Sequence, residues 1–288
     1  MKNILVPTDF SHCAFEALQV AANLAKKSGA TLHLAHFYEK PLAGISLEIQ
    51  VDLEALRSLK EEIKEEMGRL VTFDFMDGLE VVTHFIPEMK LWEAFHTNTI
   101  IDIDFVVMGS HGASGFKEFF LGSNAQKMIQ MSPVPVLTVK DFADMESIRD
   151  VVFASNFYEE NEGNFESIRD FVSAMDARVH LLHVVTPTNF VATDYSEKLM
   201  EDFAAAVGLG NYTINIYNAM SVEAGILAFT EKSGAGMIAM ETHGRTGFAH
   251  FFNGSVAEQV ANHMAVPFLS MRIKESEPAR GVVFPDMR

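Results

Sequence analysis

The sequence is poor in features that would point to several common classes of protein. Its single cysteine, Cys13, excludes an internal disulfide and cannot by itself build a thiolate zinc site, which agrees with a reducing compartment. No apolar run approaches the roughly 20 residues needed to cross a bilayer. Residues 1–7 lack the basic region, apolar core and cleavage site of a signal peptide. We therefore expect a soluble, cytoplasmic protein.

Basic residues are also scarce. The 288 residues include 22 Lys and Arg against 39 Asp and Glu, which gives a formal net charge of −17. A field of that sign repels nucleic-acid phosphates and acidic membrane surfaces, so we expect neither as a partner. The net negative charge does not attract an anionic ligand, so such a ligand would have to be bound by the local arrangement of groups at its site.

The chain contains an internal repeat. Residues 4–10 align with residues 151–157 at an offset of 147 positions, and residues 107–116 align with residues 239–248 at an offset of 132. The second copy is therefore 15 residues shorter (147 minus 132) between its second and fourth strands. Such a duplication predicts two domains of one fold. We assign the first domain to residues 1–140, a charged linker to 141–149, the second domain to 150–272 and a C-terminal tail or arm to 273–288.

Short apolar runs alternate with longer amphipathic segments in each copy. In the first copy, the pattern predicts strands at 3–7, 31–38, 79–86, 104–109 and 134–139, with helices at 11–28, 51–70, 88–98 and 123–131. In the second copy, it predicts strands near 150–154, 178–185, 212–217, 235–240 and 266–271. Strands that are apolar on both faces indicate a parallel sheet with helices on both sides. The fold class is therefore α/β, with two tandem Rossmann-like domains.

Three segments should meet at one edge of the first sheet. In an open parallel sheet, ligands bind at the carboxyl ends of the strands where the winding reverses. Pro7-Thr8-Asp9 ends the first strand there and His36-Phe37 the second. The loop after the fourth strand reads Gly-Ser-His-Gly from Gly109, followed by nine residues and then Gly122-Ser123. Glycines allow a close backbone approach and a helix N-terminus offers free N–H groups, which together suit a phosphate chain.

These motifs, with the duplication, resemble the universal stress protein family, whose nucleotide-binding members carry Gly-x2-Gly, nine residues and Gly-Ser/Thr. The resemblance covers nearly the whole chain. It implies, in each domain, a five-stranded parallel sheet of order 3-2-1-4-5 of the adenine nucleotide alpha hydrolase-like type. It also implies dimerisation through the fifth strand and binding of ATP or AMP.

The resemblance also implies roles for individual residues. Pro7, Thr8 and Asp9 would contact the base and ribose, and the backbone of Phe37 would border the adenine. The ribose and phosphates would be surrounded by Met108, Gly109, Gly112, Gly122, Ser123 and Asn124. His111 could reach a phosphate, and a histidine that only caps the loop is an equal alternative. Because Lys117 is the one cation of this loop, we expect Mg²⁺ to accompany the nucleotide.

The second copy departs from the motif. Glu241 replaces Gly109 and Asn156 replaces Asp9, although later glycines of the loop remain. A carboxylate at this point should crowd the phosphates, so we expect one competent site in the first domain and a degenerate site in the second. The fifth strands of the two copies should pair across a pseudo-twofold axis, which would make the chain an intramolecular pseudo-dimer.

The leading interpretation is a stress-response regulator that binds an adenine nucleotide and signals through protein partners. We find no nucleophile with a positioned base, no paired carboxylates and no P-loop lysine in the sequence, so slow ATP hydrolysis is the most that we expect. Two other classes stay open: a nucleotide-free interaction scaffold, and an adenylating or pyrophosphatase enzyme. The absence of His-x-Gly-His and Ser-Gly-Gly-x-Asp-Ser argues against the enzyme. Further pairing of whole chains into a homodimer also stays open.

Two other features have simple structural interpretations. His33 and His36 invite a metal site, but a spacing of three in a strand sends side chains to opposite faces, which favours hydrogen-bonded histidines instead. Cys13 lies on the first helix beside the Pro-Thr-Asp turn, where we expect a buried structural thiol.

Overall fold

A computed structural model describes most of the chain. The described residues are 1–38, 53–87, 89–97, 102–111, 121–141, 143–145, 147–157, 165, 168–169, 171–173, 175–242, 254–263 and 265–272. The predicted tail or arm at 273–288 lies outside them. So do the first two residues of the helix predicted at 51–70 and both end residues of the helix predicted at 88–98.

The described strands form one ten-stranded sheet. In chain order they are β1 (Asn3–Pro7), β2 (Thr31–Tyr38), β3 (Val81–Pro87), β4 (Phe105–Gly109), β5 (Val136–Val139), β6 (Asp150–Ala154), β7 (Arg178–Val185), β8 (Tyr212–Asn218), β9 (Met237–Thr242) and β10 (Phe268–Arg272). Their spatial order is β3-β2-β1-β4-β5-β10-β9-β6-β7-β8. Every neighbouring pair is parallel except β5 with β10. Each half therefore has the order 3-2-1-4-5, and the predicted fold class is confirmed.

Helices connect the strands. They are α1 (His12–Ser28), α2 (Leu53–Leu70), α3 (Leu91–His96), α4 (Ser123–Met131), α5 (Thr193–Ala206), α6 (Val222–Ser233) and α7 (Gly254–His263). A 3-10 turn covers Asp74–Met76, and the described residues between 165 and 173 are also helical. None of the helices in the described ranges combines the length and the apolarity that a membrane span requires.

Apolar side chains fill both faces of the sheet. On one face, a single cluster joins Ile4 of the first half to Phe153 of the second. On the other face, each half has its own cluster, which includes Val106 in the first half and Val152 in the second. Successive strand residues face opposite sides, so strands that are apolar throughout supply both layers.

The two halves join through β5 and β10. The strands run antiparallel, with Leu137 opposite Leu269. Thr138 Oγ1 donates a hydrogen bond of 3.3 Å to the Phe268 carbonyl, and Ser270 Oγ donates one of 3.4 Å to the Val136 carbonyl. The predicted pairing of the fifth strands is thereby confirmed, and the chain is an intramolecular pseudo-dimer.

The segment predicted as a linker also contributes to the core, because Met145 and Ile148 are only 1% and 5% exposed. The bounds of some strands differ from the predicted ones. Strand β9 begins and ends two residues later than predicted, because Glu241 and Thr242 continue the ladder with β10. A glutamate and a threonine after the apolar run indicated a loop, yet both are buried in the sheet.

Candidate functional site

A cavity of about 330 Å³ lies in the first half of the molecule. Its wall includes the residues that end β1, β2 and β4, and β1 lies between the other two strands. This is the point where the winding of an open parallel sheet reverses and where ligands of such folds bind. The volume is near the lower end of the roughly 300–1,000 Å³ found for small-molecule sites.

The structure brings ten of the eleven predicted site residues to this cavity. They are Pro7, Thr8, Asp9, Phe37, Met108, Gly109, His111, Gly122, Ser123 and Asn124. The eleventh, Gly112, lies outside the described residues. The part that these residues play in ligand binding stays a prediction.

Four further residues of the wall were not predicted: Ala14, Leu91, Ser110 and Ala125. The sequence carried a signal for Ser110, which directly follows Gly109, and for Ala125, which belongs to the first turn of the predicted helix. Ala14 and Leu91 are apolar helix residues that only the folded chain brings to the cavity, so no local signal could have found them.

The turn after β1 is held by its own hydrogen bonds. Thr8 Oγ1 accepts from the Phe10 N–H at 3.0 Å, and Phe10 has a positive φ of 61°. His36 Nδ1 donates to the Thr8 carbonyl at 2.9 Å, and its ring stacks on Phe10 at 4.9 Å. Burial lowers the pKa of His36, against the opposing effects of that carbonyl and of Asp9, so the ring is neutral at pH 7. Asp9 Oδ1 accepts from the Ser11 N–H at 3.1 Å, which fixes the carboxylate at the mouth of the cavity.

The N-terminus of α4 forms another part of the wall. Gly122 is the N-cap and has no side chain to accept hydrogen bonds from the first turn. The Gly122 N–H donates to the Ser110 carbonyl at 2.7 Å, and the Ser110 N–H donates to the Val139 carbonyl at 2.8 Å. These bonds hold the two ends of the glycine loop together, with Ser123 and Asn124 facing the same cavity. A helix N-terminus of this kind is an anion-binding element.

His111 contributes a neutral ring to the cavity. Its Nδ1 lies 2.8 Å from Ser110 Oγ, and its Nε2 is buried with no hydrogen-bond partner among the described residues. Burial lowers the pKa of His111, and the nearby Lys140 lowers it further against the opposite effect of Asp141. The described lining residues also include no lysine or arginine, so an anion in this cavity would depend on backbone N–H groups and hydroxyls such as that of Ser123.

Gly109 is required by the approach of α1. A Cβ at this position would lie 2.9 Å from the Cys13 carbonyl carbon and 3.0 Å from both the Cys13 carbonyl oxygen and Sγ. The Cys13 thiol donates to the carbonyls of Val139 and Lys140 at 3.2 and 3.3 Å. The thiol therefore ties α1 to the end of β5, as expected of a structural cysteine, although its burial is only partial.

Glu241 occupies the matching position of the second half. It is 5% exposed, and burial raises the pKa of its carboxyl to about 8 against the opposing hydrogen bond from Ser155. Ser155 Oγ donates to Glu241 Oε2 at 3.3 Å, while Oε1 is buried with no partner among the described residues. Ser155 is the counterpart of Thr8, and it likewise accepts from the N–H two residues ahead, that of Phe157. The carboxyl thus reaches the end of β6, beside the counterpart of the cavity residue Thr8. Whether it would crowd phosphates stays a prediction.

The histidines near the amino ends of the strands make hydrogen bonds of their own. His33 Nδ1 lies 2.9 Å from His84 Nε2, on the neighbouring strand. In the second half, His180 lies 2.9 Å from Asp150 Oδ1 and 2.7 Å from Thr213 Oγ1. The described part of the chain contains no group of three or more His, Cys, Asp or Glu side chains arranged to hold a metal ion.

Fold and site together define a class: a duplicated α/β protein with a cavity at the switch point of one half and a buried glutamate at that of the other. The family model of the universal stress proteins matches residues 1–140 and 150–272, and the chain belongs to this family. Universal stress protein Slr1230 of Synechocystis is 23% identical over an alignment that covers 94% of this chain and 100% of that protein. Universal stress protein MJ0531 of Methanocaldococcus jannaschii is 30% identical over 140 residues, which cover 48% of this chain and 82% of that protein.

A solved structure shares the fold over the whole chain. The crystal structure of a universal stress protein from Archaeoglobus fulgidus aligns with a TM-score of 0.70 and 24% identity. The alignment covers 96% of this chain and 97% of the other. This likeness shows the fold, and the family model that matches both halves confirms the family resemblance that the motifs indicated.

Proposed function

We propose that the chain binds one adenine nucleotide, ATP or AMP, in the cavity of its first half. In this proposal, the nucleotide is bound with Mg²⁺ and the chain acts as a nucleotide-dependent regulator of a stress response in the cytoplasm. The observation that carries the proposal is the meeting of two elements in one cavity. The free N-terminus of α4 suits phosphates, and the polar end of β1 suits a nucleoside.

The two ends of the cavity differ in chemistry. Asp9 offers carboxylate oxygens that can accept from ribose hydroxyls or a base amino group, and Phe37 offers an apolar border for the base. On another part of the wall, the first-turn N–H groups of α4 and the Ser123 hydroxyl can donate to phosphate oxygens. A ligand with a planar base at one end and phosphates at the other satisfies both.

Mg²⁺ belongs to the proposal for electrostatic reasons. The chain carries a net charge of −17, and the described lining contains no lysine, no arginine and a His111 that is neutral at pH 7. Little positive charge therefore offsets a triphosphate. Mg²⁺ would neutralise part of that charge, and the Ser123 hydroxyl is an oxygen ligand of the type that it prefers.

The second half is proposed to bind no nucleotide. Its Glu241 carboxyl lies against Ser155, the counterpart of the cavity residue Thr8. A nucleotide at this place would have to displace a buried side chain, and it would bring phosphates towards a group that is negative whenever it ionises. The role of the second half would then be to support the first half through the contacts between them.

Calorimetric titration with ATP and Mg²⁺ tests the proposal. Ser123→Asp places a negative charge at the start of α4, where aspartate favours the helix, so binding should weaken at least tenfold without loss of fold. The matched control is Ser255→Asp, the same change at the aligned position of α7, which should bind as the wild type does. An absence of binding by the wild type would favour the scaffold, and equal weakening by both variants would contradict the assigned site. Phosphate release from the same samples would reveal slow hydrolysis.

A further inference from the structure

Asn262 connects the second half of the chain to the candidate site in the first half. It lies one residue before the end of α7, and its Oδ1 accepts from the Leu121 N–H at 2.5 Å. Its carbonyl oxygen accepts from Lys140 Nζ, also at 2.5 Å. Leu121 directly precedes Gly122, the N-cap of α4, and Lys140 directly follows β5. One residue of the second half therefore bonds both to the residue before the N-cap of α4 and to the residue after β5.

Leu121 is the point at which the two halves meet beside the cavity. Its side chain packs against the apolar clusters of both halves. Its N–H points to Asn262, while the next N–H, that of Gly122, points to the Ser110 carbonyl at 2.7 Å. The direction in which the chain enters α4 is thus set by one bond within the first half and one bond from the second.

The repeat does not keep the residue type at this position. The position of the first half that aligns with Asn262, at an offset of 132, is Gln130, whose side chain is one methylene longer. The shorter amide therefore occurs only in the second half. This asymmetry matches the inequality of the two sites, since the half with Glu241 supplies the asparagine.

We propose that Asn262 is a positioning residue for the nucleotide site of the first half. By holding Leu121, it orients the N-terminus of α4 towards the phosphates, so the second half completes a site that it does not itself contain. This inference rests on the proposed function. It also gives the second half a task that neither the repeat nor the family motif assigns.

Three variants separate this role from general support of the interface. Asn262→Leu removes the acceptor and keeps the branching and the number of side-chain heavy atoms, and Asn262→Asp keeps an oxygen acceptor. Gln126→Leu is the matched control, because Gln126 Nε2 donates to Glu258 Oε2 at 2.6 Å between the same two helices without touching Leu121. All three are compared with the wild type by hydrogen exchange at the Leu121 amide in the absence of nucleotide. ATP affinity with Mg²⁺ is compared for the two leucine variants, neither of which changes the charge.

The inference predicts a specific pattern. Asn262→Leu should exchange the Leu121 amide at least tenfold faster and bind ATP about fivefold to tenfold more weakly, which is the range expected for one lost hydrogen bond of this kind. Asn262→Asp should keep slow exchange, and Gln126→Leu should match the wild type in both measurements. Wild-type ATP affinity in Asn262→Leu, or equal weakening in Gln126→Leu, would overturn the inference.

Failure of the proposed function would look different. If the wild type bound no ATP, the proposed function would be wrong, and Asn262 could have no effect on nucleotide binding. Hydrogen exchange at the Leu121 amide would then test only whether Asn262 positions the start of α4. Faster exchange in Asn262→Leu alone would support that role, and unchanged exchange would overturn it.

Discussion

Gly109 and Glu241 occupy the same place in the two halves, but their surroundings differ. At Gly109, the helix after β1 approaches so closely that a Cβ would lie 2.9 Å from the Cys13 carbonyl carbon. At Glu241, a whole carboxyl is buried against Ser155. The substitution was visible in the sequence, but the direction of the side chain was not, because it depends on a contact with Ser155, 86 positions away in the chain.

Glu241 should make stability depend on pH in a defined direction. Burial raises the pKa of its carboxyl from 4.5 to about 8. Below pH 4.5, the carboxyl is protonated in both the folded and the unfolded chain. Its ionisation then takes nothing from the free energy of unfolding. Between these values, the unfolded chain releases a proton that the folded chain keeps, so the free energy of unfolding falls by up to about 1.4 kcal/mol per pH unit until pH passes the folded pKa.

Glu241→Gln removes this contribution because an amide does not ionise. We expect the stability of the variant relative to the wild type to increase steadily between pH 5.5 and 7.5. Urea unfolding of both proteins at several pH values measures the difference, and contributions from other groups cancel in it. Parallel pH curves for the two proteins would show that Glu241 ionises normally.

Gly109→Ala should destabilise the fold. The new methyl would press on the backbone of Cys13, and overpacking of this kind costs about 1–3 kcal/mol. Gly68→Ala is the control, since a Cβ there meets nothing within 4 Å inside α2 and should stabilise by about 0.5–1 kcal/mol. Thermal unfolding of both variants tests the pair. A Gly109→Ala protein as stable as the wild type would contradict the close approach of α1.

At the scale of elements, the ends of α1 were predictable and the ends of β9 were not. Ser11 and Gly29 carry local signals for a cap and a left-handed stop, and both act as such, with Ser11 Oγ accepting from the Ala14 N–H at 3.2 Å. The continuation of β9 through Glu241 depends on its ladder with β10, which begins 27 residues later in the chain (Glu241 to Phe268). Local polarity indicated a loop, and tertiary pairing overrode it.

The N-caps of α1 and α6 offer a matched test of helix capping. Ser221 Oγ accepts from the Ala224 N–H at 3.2 Å, the same distance as at Ser11. Ser11→Ala and Ser221→Ala should therefore each lower the free energy of unfolding by about 1 kcal/mol, as measured by urea unfolding. Ser11 also positions the helix beside the cavity, so only its loss should weaken ATP binding. Weaker binding in Ser221→Ala would show that the effect is global.

At the scale of the whole molecule, duplication has produced a pseudo-dimer with unequal halves. The repeat, the strand order and the pairing of β5 with β10 were predictable, because each follows from sequence alignment and from the family pattern. The contact of Asn262 with Leu121 was not, since the two residues are 141 positions apart and neither carries a motif. Contacts between side chains of the two halves could therefore not be predicted from local sequence patterns.

The charge of the molecule predicts a dependence on metal. With a net charge of −17 and no lysine or arginine in the described lining, removing Mg²⁺ with EDTA should lower the affinity for ATP at least tenfold. AMP carries fewer phosphate charges, so its affinity should fall much less. Titrations with both nucleotides, with and without Mg²⁺, test this. An ATP affinity unaffected by EDTA would mean that the backbone N–H groups of α4 suffice.

The central claim is that one half of the chain binds nucleotide and the other does not. It is tested most directly by saturating the protein with ATP and Mg²⁺, removing free ligand, denaturing the complex and counting released nucleotide by mass spectrometry. We predict one adenine nucleotide per chain. Two per chain would show that Glu241 does not close the second site, and none would show that the cavity at the end of β1 is not a nucleotide site.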